Sequence, residues 1–182
     1  MVPEGVQTVR HLFFAIASSR GRQIQTYMLK YVNTDIVFQE IPDEVTLAVN
    51  ISNCPCRCPG CHSEYLWEDV GEPLTSETID GFADKYSTDI TCISLMGGDA
   101  DPAAVSALAA YIHRCHPQYK VGWYSGRAQL SPDVDTSCID YLKLGPYISH
   151  LGGLKSRDTN QRLYRRSENG DFEDITSRFW RR

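Results

Sequence analysis

Four cysteines fall within eight positions, Cys54-Pro55-Cys56-Arg57-Cys58-Pro59-Gly60-Cys61, and no other stretch limits the chain so tightly. Neighbours this close cannot pair as disulfides without severe strain, and the total of seven cysteines is odd, so the pattern makes a poor disulfide framework. Ligation of a metal or cluster in a reducing compartment fits it, and a cytoplasmic location is expected. Pro55, Pro59 and Gly60 keep the loop out of regular structure, and Gly60 permits close backbone approach to a ligand. Cys54, Cys58 and Cys61 stand in a Cys-x3-Cys-x2-Cys spacing. Three thiolates from one short loop can hold three irons of a cubane and leave the fourth iron open to a small chelating molecule. Cys56 is an alternative to Cys54, but one residue between Cys56 and Cys58 is an awkward span for two cubane corners. Zinc is the competing reading, because Cys58-x2-Cys61 is half of a common zinc site. His62 and Cys56 are available to such a site, yet no second Cys-x2-Cys and no His-x3-His recurs downstream. Cys92, Cys115 and Cys138 stand alone and are expected to be buried small hydrophobes.

At 182 residues the chain fits one domain with a real hydrophobic core. Its net charge of −5 argues against a nucleic-acid binder, which would carry a basic excess. The charge is uneven: residues 1–154 hold 10 Lys/Arg against 18 Asp/Glu, and the last 28 hold 8 against 5. A basic tail on an acidic body is suited to an acidic partner surface, although scattered solvated charge is the simpler explanation. No apolar run reaches the roughly 18–20 residues needed to span a bilayer, so no membrane association is expected. The six apolar residues Leu12 to Ala17 are shorter than the roughly 7–15 of a secretory core segment.

Residues 1–27, with Ser18-Ser19-Arg20-Gly21-Arg22, read as a disordered leader or start-site extension, and the folded domain is expected over 28–182. From there strands and helices alternate. Val45 to Asn50 is β-rich and leads straight into the cysteine loop. Residues 76–87 carry Ile79, Phe82, Ala83 and Tyr86 at helical spacing, with Thr75 or Ser76 as N-cap. Ile90 to Met96 reads as a strand closed by Gly97-Gly98, and 102–115 as a helix with Pro102 at its first position. Lys120 to Tyr124 and Ile139 to Leu144 complete the series, each stopped by a glycine turn. Such alternation implies an α/β fold with a mainly parallel sheet. About 155 residues are too few for a closed barrel of roughly 250, so a partial, open β/α barrel is expected.

Cys54-x3-Cys58-x2-Cys61 directly after the first β-rich run resembles the radical S-adenosylmethionine superfamily. Over 28–182 the resemblance is closest to the activating proteins of anaerobic (class III) ribonucleoside-triphosphate reductases. It rests on Cys58-Pro59-Gly60-Cys61-His62 followed by Trp67 and Gly71-Glu72-Pro73-Leu74-Thr75, on Met96-Gly97-Gly98-Asp99, on Trp123-Tyr124-Ser125-Gly126 and on Thr159-Asn160-Gln161-Arg162. Three departures stand beside these. Gly60 replaces the aromatic residue that many superfamily members have before the last cysteine. Ala100 follows Asp99 where proline is usual, and Leu144 precedes Gly145 where aspartate is usual.

The resemblance implies a 4Fe–4S cluster on Cys54, Cys58 and Cys61, with S-adenosylmethionine chelating the fourth iron. It implies that the Gly97 and Gly98 carbonyls or the Asp99 carboxylate receive the methionine ammonium group. Gly60 and His62, flanking Cys61, would lie beside the nucleoside, so that Gly60, Cys61, His62, Gly97, Gly98 and Asp99 form the expected cofactor-binding set. No acid–base pair is required, and Tyr124 and Lys143 read as a core aromatic and a solvated or snorkelling lysine. The implied activity is reductive cleavage of S-adenosylmethionine to place a glycyl radical on an anaerobic ribonucleotide reductase. A reduced one-electron donor such as flavodoxin or ferredoxin would be needed. An activase for another glycyl radical enzyme and a non-catalytic zinc-binding interaction module are the alternatives.

Overall fold

The computed structural model describes residues 28–180; the expected leader, 1–27, lies outside the described residues. Eight strands form one sheet: β1 Lys30–Val37, β2 Thr46–Ile51, β3 Glu72–Pro73, β4 Cys92–Met96, β5 Lys120–Tyr124, β6 Tyr141–Leu144, β7 Arg162–Arg166 and β8 Phe172–Asp174. Their order across it is β3-β1-β2-β4-β5-β6-β7-β8. Two helices, α1 Ser76–Tyr86 and α2 Pro102–Cys115, connect β3 to β4 and β4 to β5. Thr75 caps α1 in a capping box with Thr78. Asp101 caps α2 by accepting from the Ala104 N–H at 3.0 Å, with Pro102 just inside the helix.

The central strands β2, β4, β5 and β6 run parallel to one another, and they are the apolar runs legible in the sequence. The flanks are antiparallel: β1 pairs with β2 and β3, β7 with β6 and β8. The sheet is therefore mixed, with antiparallel pairings outnumbering parallel ones, which corrects the expectation of a mainly parallel sheet. The reason lies in the connections. Short links such as the one between β7 and β8 fold a strand straight back, whereas parallel pairing needs a long crossover.

Alternation along the central strands divides their side chains between two cores. Leu47, Val49 and Ile51 of β2, Ile93 and Leu95 of β4, and Val121 and Trp123 of β5 pack with Ile79 of α1 and with Val105, Leu108 and Ile112 of α2. Each of these buried aliphatic side chains stabilises the fold by roughly 1.5–3 kcal/mol. Cys92 and Tyr141, on the alternate positions, join Ile41, Leu163 and Ile175 in a second cluster. Of the three lone cysteines only Cys92 is fully buried; Cys138 is half-buried and Cys115 is exposed. Cys115 departs from expectation because it ends α2 in the exposed run His113 to Cys115, past the last core contact at Ile112. No helix among the described residues is long and apolar enough to cross a membrane.

Candidate iron–sulfur site

Four parallel strands end on one edge of the sheet, and each end carries a piece of the site. β2 runs into the cysteine loop, β4 into Gly97-Gly98-Asp99, β5 into Ser125-Gly126, and β6 into Gly145. This carboxyl edge is where open α/β sheets bind ligands. The cysteine loop is closed at its base by backbone hydrogen bonds from Asn53 N–H to the Glu68 carbonyl (3.0 Å) and from Cys54 N–H to the Leu66 carbonyl (2.9 Å). Within it, the Cys61 N–H donates to the Cys58 carbonyl at 3.1 Å. The Ser63 N–H lies 3.4 Å from Cys61 Sγ. Such donors to a ligating sulfur are among the features that tune iron–sulfur clusters.

A cleft of about 200 Å³ lies beside this loop, bordered by Cys54, Cys61, Gly97 and Asp99. Its floor is a row of cross-strand neighbours, since Asn50 pairs with Met96, Met96 with Tyr124, and Tyr124 with Lys143. The Trp67 indole N–H, on the cleft wall, is buried without an acceptor. That is a donor suited to a polar ligand atom.

The expected site residues separate into three groups. Cys54, Cys61, Gly97 and Asp99 share the cleft. Cys58 and Gly98 are buried against the fold, where a Cβ on Gly98 would come within 2.4 Å of Val105 Cγ2. Gly60 and His62 are exposed outside the cleft lining, beside Tyr147, with the His62 and Tyr147 ring centroids 5.4 Å apart. Gly97 and Gly98 both have positive φ, at 108° and 84°. That conformation strongly favours glycine.

Asp99 is 1 % exposed and holds the neighbouring strand end. Its Oδ1 accepts from the Ser125 hydroxyl at 2.6 Å and its Oδ2 from the Gly126 N–H at 2.7 Å. The Gly97 carbonyl accepts from the Trp123 indole at 2.7 Å. Cys56 lies between the Asp99 carboxylate and Cys54. A hydrogen bond from the Cys56 thiol lowers Cys54 to about 6, and the same bond pushes Cys56 well up.

Lys143 departs most from its sequence reading. It is neither solvated nor snorkelling: it is 7 % exposed, with Nζ donating to the Gly145 carbonyl at 2.6 Å and the Ser125 carbonyl at 3.3 Å. Burial pushes its pKa down to about 8, opposed first by the negative charge of Asp99 and then by Cys58, Cys56 and Cys61 of the nearby loop. Tyr124 is a packed aromatic, its hydroxyl donating to the Glu40 carbonyl. Thr159-Asn160-Gln161-Arg162 braces the loop after β6. Asn160 Nδ2 donates to the Pro146 carbonyl (2.9 Å) and Gln161 Nε2 to the Gly145 carbonyl (3.4 Å). Sequence reading missed Asn50, Met96 and Lys143 as cleft residues. The usable signal was their shared parity at the ends of consecutive strands.

The donor set fits an iron–sulfur cluster: four free thiols on one loop, none in a disulfide, with a backbone donor already set on Cys61. Among the described residues no three His, Cys, Asp or Glu side chains converge on a single metal-ion position. A cubane instead distributes its thiolates over separate irons. No curated protein and no solved structure matches the chain. Residues 44–144, from just before β2 to the end of β6, match the family model described as a 4Fe-4S single cluster domain. That span is more than half of the chain and contains the cysteine loop and all four parallel strands, so this iron–sulfur protein belongs to the 4Fe-4S single cluster domain family.

Proposed function

We propose that this protein is a radical S-adenosylmethionine activase that places a glycyl radical on an anaerobic ribonucleotide reductase. The observation that carries this reading is the Cys54-x3-Cys58-x2-Cys61 loop set beside a cleft bordered by Gly97 at the carboxyl edge of four parallel strands. On this proposal the mixed sheet is the open, partial barrel of that superfamily. Cys54, Cys58 and Cys61 are the proposed cluster ligands. With S-adenosylmethionine bound beside it, a cluster held by these three cysteines would supply one-electron reductive cleavage of that cofactor, drawing its electron from a donor such as flavodoxin or ferredoxin, so that a hydrogen atom is removed from the target glycine.

The protein's part is binding, orientation and exclusion of competing reactions. The carbonyls of Gly97 and Gly98 each keep a lone pair beyond their internal bonds to Trp123 and Asp101. They are the proposed acceptors for the methionine ammonium group. Asp99 acts one step removed, by fixing the Ser125-Gly126 strand end. The floor residues Asn50, Met96 and Tyr124 close the cleft from below.

The test is anaerobic. Reduced, cluster-loaded protein given S-adenosylmethionine should release methionine and 5′-deoxyadenosine. With the cognate reductase present, electron paramagnetic resonance should record a glycyl radical on the reductase. Cofactor cleavage without that radical, but with one on another glycyl radical enzyme, would reassign the partner. No cleavage by a fully loaded, reduced cluster would overturn the activase reading and leave the iron–sulfur family membership standing.

A further inference from the structure

Lys143 is a cation that the fold alone does not require. Its neighbours in the floor of the cleft are Tyr124, Met96 and Asn50, and a methionine would occupy the same stem volume. An ammonium has three N–H donors. Two reach the carbonyls of Gly145 and Ser125, and among the described residues the third has no protein acceptor. Nor does any carboxylate of the described residues lie within ion-pair distance of it. A buried charge without a counter-ion opposes folding. Asp99 borders the same cleft and reaches Lys143 only through Ser125, its carboxylate already accepting from the Ser125 hydroxyl and the Gly126 N–H; the closer compensating negative charge has to come from what the cleft holds.

The cysteine loop supplies that charge. Lys143 lines the same cleft as Cys54 and Cys61, and the carbonyls that hold its ammonium belong to the strand-end turns at Ser125 and Gly145. A cubane on three thiolates is negatively charged and becomes more so when it accepts an electron. The reduction potential of such clusters follows net charge, hydrogen bonding to sulfur and solvent exposure. A fixed cation in a desolvated cleft therefore favours the reduced state, because a low local dielectric strengthens the attraction.

We propose that Lys143 is a positioning residue for charge, whose buried ammonium raises the reduction potential of the cluster carried by the cysteine loop. One electron enters from the external donor, and no bond or proton need move. The proposal rests on the 4Fe–4S family membership and not on the activase reading, so it is tested without S-adenosylmethionine or a partner protein.

The experiment is a dithionite titration of the full-length, cluster-loaded protein, followed by visible absorption and electron paramagnetic resonance. It is run on wild type, Lys143→Met, Lys143→Gln, Lys143→Arg and the exposed-lysine control Lys85→Met. The two neutral variants should disfavour reduction at least tenfold, about 59 mV for a one-electron couple. Lys143→Arg should stay within about threefold of wild type, and Lys85→Met should not move. Wild-type potentials in the neutral variants, or an Lys143→Arg shift as large as theirs, overturn the proposal. If Lys143→Met fails to take up iron, Lys143→Gln gives the same reading. Loss of iron from both neutral variants with retention in Lys143→Arg would assign Lys143 to assembly and likewise overturn the role in setting potential.

Discussion

Cys56 Sγ lies 3.7 Å from Asp99 Oδ2, and this contact ties the cysteine loop to the ends of β4 and β5. The same carboxylate oxygen receives the Gly126 N–H, and its partner oxygen receives the Ser125 hydroxyl. One buried acid thus sets the distance between the loop and two strand ends. Cys56 serves that tie as a thiol donor to the carboxylate.

The cluster is therefore expected to survive Cys56→Ala and Cys56→Ser with near-normal iron and sulfide. Cys54→Ala, Cys58→Ala and Cys61→Ala should each lose bound iron. Anaerobic reconstitution followed by iron and sulfide analysis decides it. An iron-free Cys56→Ala beside an iron-replete Cys54→Ala would reverse the assignment.

Asp99→Ala should destabilise the cluster-free protein, because the Ser125 hydroxyl and the Gly126 N–H lose their acceptor. A buried polar group left unpaired costs about 1–3 kcal/mol. Asp99→Asn retains a carbonyl oxygen and should lose less. Urea unfolding under reducing conditions measures both. Wild-type stability in Asp99→Ala would mean that the carboxylate does not hold the strand end.

Gly98→Ala tests the packing beneath the cleft. Its Cβ would meet Val105 Cγ2 at 2.4 Å from a backbone at φ 84°, so overpacking and backbone strain add. A loss of at least 1–3 kcal/mol is expected from the overpacking alone. The double variant Gly98→Ala/Val105→Ala should recover part of it. Equal melting of the single and double variants would refute the clash.

Lys143 makes stability depend on pH in a definite direction. Its folded-state pKa is lowered by burial to about 8, from 10.5. Below pH 8 both states hold the proton and the full penalty is present. Between about 8 and 10.5 the unfolded chain binds more protons, so stability rises with pH. The penalty is on the order of 3 kcal/mol. Thermal melts of cluster-free protein should therefore find Lys143→Met more stable than wild type at pH 7, with the difference shrinking by pH 10.5. A constant difference across that range would argue against a desolvated ammonium.

The spacing of Cys54, Cys58 and Cys61 was legible without a structure because ligation chemistry depends on residues close in sequence. The central strands were legible for a similar reason: a strand buried on both faces must be apolar throughout, and such runs are short and unmistakable. β1 and β7 escaped because they lie towards the sheet's sides and carry polar residues, as in Lys30–Val37 and Arg162–Arg166. With them went the antiparallel half of the sheet.

What tertiary structure alone decided is the company each site residue keeps. Asp99, which the resemblance makes a candidate acceptor for the methionine ammonium group, borders the cleft and holds Ser125 and Gly126 as well. Lys143 reads in the sequence as a solvated or snorkelling lysine and lies buried in the cleft floor. The partners of Asp99 lie 26 and 27 positions away, and Lys143 reaches the Ser125 carbonyl 18 positions back as well as the nearby Gly145 carbonyl. Parallel register brings Asn50, Met96, Tyr124 and Lys143 into one row. Cysteine spacing is a local property of the chain and can be read from it. Register and burial depend on how distant strands pair, and only the folded sheet specifies that.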